Sequence, residues 1–150
     1  MEETVTLLKQ VKDAFACGDK DINAYSPLAL AYIGDDVYDT IVRTLVVERA
    51  NRPANELNKE AVKYVKAQAQ SKAIVHILKA GDFLSEEEQE IYRRGRNAKS
   101  ATSAKNADIQ DYRKATGFEA LIGYLYLTGR QQRVVEIAKC AIEYLDSEES

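Results

Sequence analysis

Apolar residues recur at three- and four-residue steps along nearly the whole chain, which is the period of helices packed on one side. In residues 4–16 the repeat runs through Val5, Leu8, Val11 and Phe15, and Cys17-Gly18-Asp19 breaks it. Ser26-Pro27 forms a helix start, serine as N-cap and proline in the first turn. The next helix runs from Leu28 to about Arg49 and ends at Asn51-Arg52-Pro53. Asn55 caps a further helix expected to reach Ala80 and to stop at Gly81-Asp82. Ser85-Glu86-Glu87-Glu88 reads as a capping box that opens a charged helix, expected to fray at Arg94-Gly95-Arg96. The stretch 97–106, NAKSATSAKN, has no period and reads as a loop. Two more helices are expected at about 107–128, with a break near Thr116-Gly117, and at about 130–145. No strand pattern or internal repeat competes. The pattern predicts an all-α fold, a single domain over residues 1–150.

Composition is consistent with that expectation. A chain of 150 residues, 45% of them hydrophobic, can bury about two thirds of its unfolded surface. The first residues carry acids and no apolar run of signal-peptide length, and no stretch approaches the ~18 apolar residues of a membrane span. Cys17 and Cys140 match no disulfide or zinc spacing. The expectation is a soluble, cytoplasmic protein with free thiols and no membrane partner. The net charge of −3 argues mildly against nucleic acid, but its distribution reverses that. Segment 91–115 holds Arg93, Arg94, Arg96, Lys99, Lys105, Arg113 and Lys114 against Asp108 and Asp111, a basic stretch on an acidic body.

The chemistry sits in two apolar helices. LAYIGDDVYDTIV (30–42) puts a glycine and acids into a buried-looking pattern, although glycine costs roughly 1 kcal/mol in a helix and a buried carboxylate costs more unless paired. The stripe Leu28, Ala31, Asp35, Tyr38, Val42 sets Asp35 among apolar neighbours, while Asp36 and Asp39 fall on faces that are more easily solvated. In GFEALIGYLYLTG (117–129) Glu119 is the only charge, and its stripe continues through Ile122, Gly123 and Tyr126. Two isolated acids, each accompanied by a glycine, suggest two helices meeting at a shared site. An oxygen-only site suits magnesium, which commonly takes one or two protein carboxylates and leaves the rest to water and phosphate. Zinc lacks its nitrogen and sulfur ligands here, and the single histidine, His76, reads as a packing residue.

LALAYIGDDVY (28–38) resembles the signature helix of the ribonuclease III family, and FEALIGYLYL (118–127) resembles its second catalytic helix, with RRGRNAKSATSAKN (93–106) between them. The combination is similar to the short bacterial members, the Mini-ribonuclease III group, which lack a separate double-stranded-RNA-binding domain. The resemblance implies the family's helical catalytic fold and a metal-dependent endoribonuclease that cuts double-stranded RNA to 5′-phosphate and 3′-hydroxyl ends. Asp35 and Glu119 would be its catalytic, metal-holding residues, and magnesium its ion, with manganese able to substitute. Larger members have further acids where this chain has Ala31 and Thr116, so water would fill those places, and Asp36, Asp39 and Gln68 could contribute through water. Arg94, Arg96, Asn97, Lys99 and Lys105 are the expected RNA contacts. The resemblance also implies a homodimer, maturation of the 23S ribosomal RNA precursor at its base-paired stalk, and a large-subunit ribosomal protein as a further partner. Leu30, Ile33, Val37, Ile41, Leu45 and Val46 offer apolar surface for the dimer. Two alternatives stand beside this: a non-catalytic RNA-binding or ribosome-associated helical module, and a scaffold whose acids pair with Arg43 or Arg113.

Overall fold

The structure, a computed structural model, describes residues 6–99 and 108–148. Among these residues the chain forms seven α-helices, one 3-10 turn and no strand. They are α1 (Leu7–Ala14), the 3-10 turn Ile22–Ala24, α2 (Pro27–Arg49), α3 (Ala54–Val65), α4 (Ala67–Lys79), α5 (Glu86–Asn97), α6 (Ile109–Leu127) and α7 (Gln131–Glu148). The all-α expectation holds. Local chemistry sets the ends: Ser26 Oγ accepts from the Ala29 N–H at 3.1 Å to open α2. At α5 the capping box closes both ways, Ser85 Oγ accepting from the Glu88 N–H and Glu88 from the Ser85 N–H.

α6 is the centre of the molecule, packed against α2, α4, α5 and α7. Its residues Ala115 to Phe118 and Ala120 to Leu125 are buried, so from Ala115 onward this helix has almost no solvent face. Phe118 meets Tyr38 of α2 edge-on, with ring centroids 5.0 Å apart. Arg133 of α7 grips Glu88 of α5 through Nε at 2.8 Å and Nη2 at 2.9 Å. The same guanidinium donates to the Phe83 carbonyl, tying the start of α5 to α7.

Four boundaries differ from the sequence pattern. Asn55 is not a cap: α3 begins at Ala54, with Pro53 in the cap position and no side-chain cap bond. The helix expected from Asn55 to Ala80 is two helices, because Lys66 adopts an extended backbone (ψ 150°) between them. No glycine or proline marks this break. It is sealed by a side chain, Gln70 Nε2 donating to the Val65 carbonyl at 2.9 Å. α5 runs on through Gly95, and α6 runs through Thr116-Gly117. Those glycines serve contact between the helices: a Cβ on Gly95 would lie 2.7 Å from Ala120 Cβ, and one on Gly117 would lie 2.7 Å from the Tyr92 ring.

α2 spends its apolar residues differently than expected. Leu30 and Val46 are buried, and Val37, Ile41 and Leu45 pack against the core, so this set is largely consumed within the chain. The apolar residues α2 leaves in solvent are Tyr32, 83% exposed, with Val47 and Leu28. His76 is exposed rather than buried, and it packs by stacking on Tyr144 at 4.1 Å. Both cysteines are free thiols.

Candidate active site

The crossing of α2 and α6 answers why glycines sit beside the acids. A Cβ built on Gly34 would stand 1.7 Å from the Glu119 carbonyl oxygen, and one on Gly123 would stand 1.9 Å from the Leu30 carbonyl oxygen. No real side chain fits such gaps. The two backbones therefore touch, and any residue larger than glycine would push the helices apart. Asp35 follows Gly34, and Glu119 lies one turn before Gly123, so the seam delivers both carboxyls to one place.

Their settings are unequal. Glu119 is half-buried, and its carboxyl is pushed up to about 9, chiefly by burial and then by the hydrogen bond and charge of the adjoining Asp35. Gln70 works the other way, its Nε2 lying 3.5 Å from Glu119 Oε2. Asp35 itself is exposed, which corrects the stripe reading: Ala31, Tyr38 and Val42 of that stripe are buried, and so is Gly34, while Asp35 stands on the rim. The salt-bridge alternative loses one of its candidates, since Arg43 pairs with Asp39 at 2.9 Å. Asp36 is exposed, and Ala31 and Thr116 are buried, Thr116 Oγ1 donating to the Tyr112 carbonyl.

Gln68 does not reach the acids. It is exposed on a cleft with Lys63, Lys66 and Lys72, and Gln70 occupies the place by Glu119 instead. Gln70 is 1% exposed, and its Oε1 is buried without a partner. No sequence signal pointed to it: it stands four residues past the unmarked break at Lys66, on the face of α4 turned to α6.

Among the described residues no cluster of three or more His, Cys, Asp or Glu side chains forms. A divalent cation of the magnesium kind nevertheless fits what is here. The donors are all oxygen, two carboxylates are as many as such an ion commonly takes from protein, and two carboxyls close enough for one to raise the other's pKa favour a cation between them.

The basic segment lies against the same part of α6. Gly95 packs on Gly117 and Ala120, so the basic end of α5 runs beside the turn that carries Glu119. Arg94, Asn97 and Lys99 are exposed there, and Arg96 sits 5.8 Å from the Tyr92 ring centroid with its Nε on Asn97 Oδ1 at 3.3 Å. Lys105 lies outside the described residues.

Residues 28–130, which hold both acids and the basic segment, match the Ribonuclease III domain. The chain belongs to the ribonuclease III family. As a ribonuclease III domain it is an endoribonuclease fold, a hydrolase of RNA by family. It is 51% identical to a Mini-ribonuclease 3 from Thermoanaerobacter sp. over 81% of this chain and 83% of the relative. A Mini-ribonuclease 3 from Clostridium tetani is 50% identical, covering 82% and 80%, and one from Streptococcus pneumoniae is 41% identical, covering 84% and 98%. Among solved structures, a protein from Fusobacterium nucleatum superposes with a TM-score of 0.71 at 30% identity, over 83% of this chain and 98% of that one. Among the described residues of this ribonuclease III domain, no helix is long and apolar enough to cross a membrane.

Proposed function

We propose that the chain is a single catalytic domain that cuts double-stranded RNA with a divalent metal ion, magnesium or in its place manganese, held by Asp35 and Glu119. The observation that carries this reading is the glycine seam, which costs the helices two side chains and brings two carboxyls together at one point without a cationic partner among the described residues. Glu119 presents its oxygens from the half-buried side and Asp35 from the rim, so a phosphate arriving from solvent meets Asp35 first. When bound, a divalent cation supplies a Lewis acid for a backbone phosphate and lowers the pKa of water at neutral pH. The residues of the chain then orient and shield: Gly34 and Gly123 keep the carboxyls from separating, and the buried walls of α6 exclude bulk water from behind Glu119. Attack on phosphorus with departure of the 3′ oxygen leaves 5′-phosphate and 3′-hydroxyl ends.

Arg94, Arg96, Asn97 and Lys99, with Lys105 beyond the described residues, are the proposed contacts to the RNA. Their place beside the Glu119 turn supports this, and duplex RNA suits a surface that reads backbone and 2′-hydroxyls rather than base edges. A homodimer would place two such sites on the two strands, and Tyr32, Val47 and Leu28 are the large apolar residues of α2 available to bury. The resemblance to the short family members supports the cytoplasm as the compartment, the 23S ribosomal RNA precursor stalk as the cellular substrate, and a large-subunit ribosomal protein as a helper.

The test is cleavage of a labelled RNA duplex in low salt with magnesium, wild type against Asp35→Asn. The expected result is cutting by the wild type and a loss of roughly 10³-fold in the variant, the scale of a lost metal ligand worth several kcal/mol. Duplex binding without cutting by either protein would instead favour the non-catalytic RNA-binding module.

A further inference from the structure

Gln70 is one of few polar side chains that the interior accepts, and its surroundings are not those of a residue that merely fills space. It belongs to α4, which begins just after the extended Lys66. One contact of its Nε2 is local, to the Val65 carbonyl at 2.9 Å, and the other crosses to Glu119 Oε2 at 3.5 Å. A primary amide carries two hydrogens on a planar nitrogen. With the first fixed on a main-chain carbonyl that the end of α3 leaves open, the second has little freedom to turn elsewhere. Val65 is fixed by the backbone, so the helix break acts as the anchor and the amide as the arm. The Oε1 of the same amide is buried and meets no donor, which a purely structural tether would leave unexplained, since buried acceptors are normally paired.

We infer that Gln70 is a positioning residue of the acid pair: anchored on the Val65 carbonyl, its amide holds the Glu119 carboxyl in the orientation that a divalent cation requires. The inference rests on the reading of Asp35 and Glu119 as a cation site. The lysines of this region lie on the exposed side with Gln68, whereas Gln70 turns inward to the acid. A residue in this role acts through Glu119 and touches neither RNA nor the reacting phosphate, so its loss should weaken the ion and leave duplex recognition intact. Groups that orient metal-holding carboxylates commonly contribute about 10–100-fold in affinity or activity.

The experiment is a manganese titration by calorimetry or electron paramagnetic resonance, without RNA, on wild type, Gln70→Ala and Gln70→Met. The methionine variant keeps the volume and packing and removes both hydrogen-bonding atoms, so it decides the matter if the alanine variant does not fold. Expected is a manganese Kd weakened roughly 10–100-fold in the variants. In duplex cleavage kcat at fixed magnesium should fall while KM for the duplex stays put. Variants that melt at lower temperature but bind manganese as the wild type does would overturn the inference, leaving Gln70 as a tether of the α3–α4 junction. A wild type with no manganese affinity would overturn the underlying reading of the acid pair, a result separable from the first because it appears before any variant is compared.

Discussion

Glu88, near the start of α5, and Glu119, midway along α6, both carry a carboxyl into the packed part of the molecule, and their surroundings treat it in opposite ways. Glu88 is 4% exposed, so burial alone would push its carboxyl up. Arg133 and the Ser85 backbone outweigh that and hold it below the usual carboxylate range. Among the described residues Glu119 has no such cation: burial, Asp35 and Gln70 set its state, and the balance leaves it far above that range. One acid is neutralised by an arginine of the fold, and the other has no cation beside it among the described residues. Burial by itself therefore does not mark a functional acid; the character of its partners does.

That contrast can be broken at several points. The largest effect is expected at the seam. Gly34→Ala places a methyl where the Glu119 carbonyl oxygen already is, so α2 and α6 must separate. Overpacking of this kind costs about 3 kcal/mol, and cleavage should fall with it; urea unfolding and duplex cleavage measure the two together. A variant as stable and active as wild type would show that the backbones do not touch.

Next comes the neutralised acid. Arg133→Ala strips Glu88 of its cation and leaves a buried charge, which costs about 2–3 kcal/mol for a pair whose arginine is partly solvated. Urea midpoints should drop, whereas manganese affinity should not change, because the pair lies away from the acids of the α2–α6 seam.

Glu119→Gln should act in the opposite sense on stability. In the metal-free protein the folded carboxyl titrates near 9 and the unfolded one near 4.5. Between those values the folded state holds a proton that the unfolded state has released, so stability falls as pH rises through that window. Glutamine removes the penalty. The variant should therefore melt higher than wild type at pH 8 without metal, by about 2–4 °C for each kcal/mol gained, and the gain should vanish below pH 4.5. Activity is lost despite the gain, the usual exchange at a functional site.

The smallest structural effect is expected at Tyr32. Being 83% exposed, its replacement by lysine should leave the melting temperature of a lone chain nearly unchanged. If the proposed homodimer forms through this face, light scattering should show a dimer for wild type and a monomer for the variant at the same concentration.

Helices were legible in the sequence because their starts and stops are chemical events: Ser26-Pro27 and the Ser85 to Glu88 box do there what those residues do elsewhere. The break at Lys66 was not, since its cause is a side chain four residues on rather than a glycine or proline. Gly95 and Gly117 misled in the other direction. They read as weak points in helices, but their partners in contact are distant in sequence, and only packing reveals that they permit close approach. The two acids could be found as isolated charges in apolar surroundings, yet stripe arithmetic placed Asp35 too deep, because it cannot tell the residue on the seam from its neighbour on the rim. Gln70 went unseen for a related reason. In an alanine- and glutamine-rich stretch nothing distinguishes the one glutamine that turns inward.

The contact of main chain with main chain at Gly34 and Gly123 has a consequence for how this protein can change over time. Where side chains separate two helices, each substitution in the layer shifts the spacing, and a site built across it drifts with every exchange. At this crossing no side chain lies between the two backbones that could be exchanged. The spacing of the acids is then set by the peptide units at the crossing, and the cost of that constancy falls on two positions that must remain glycine.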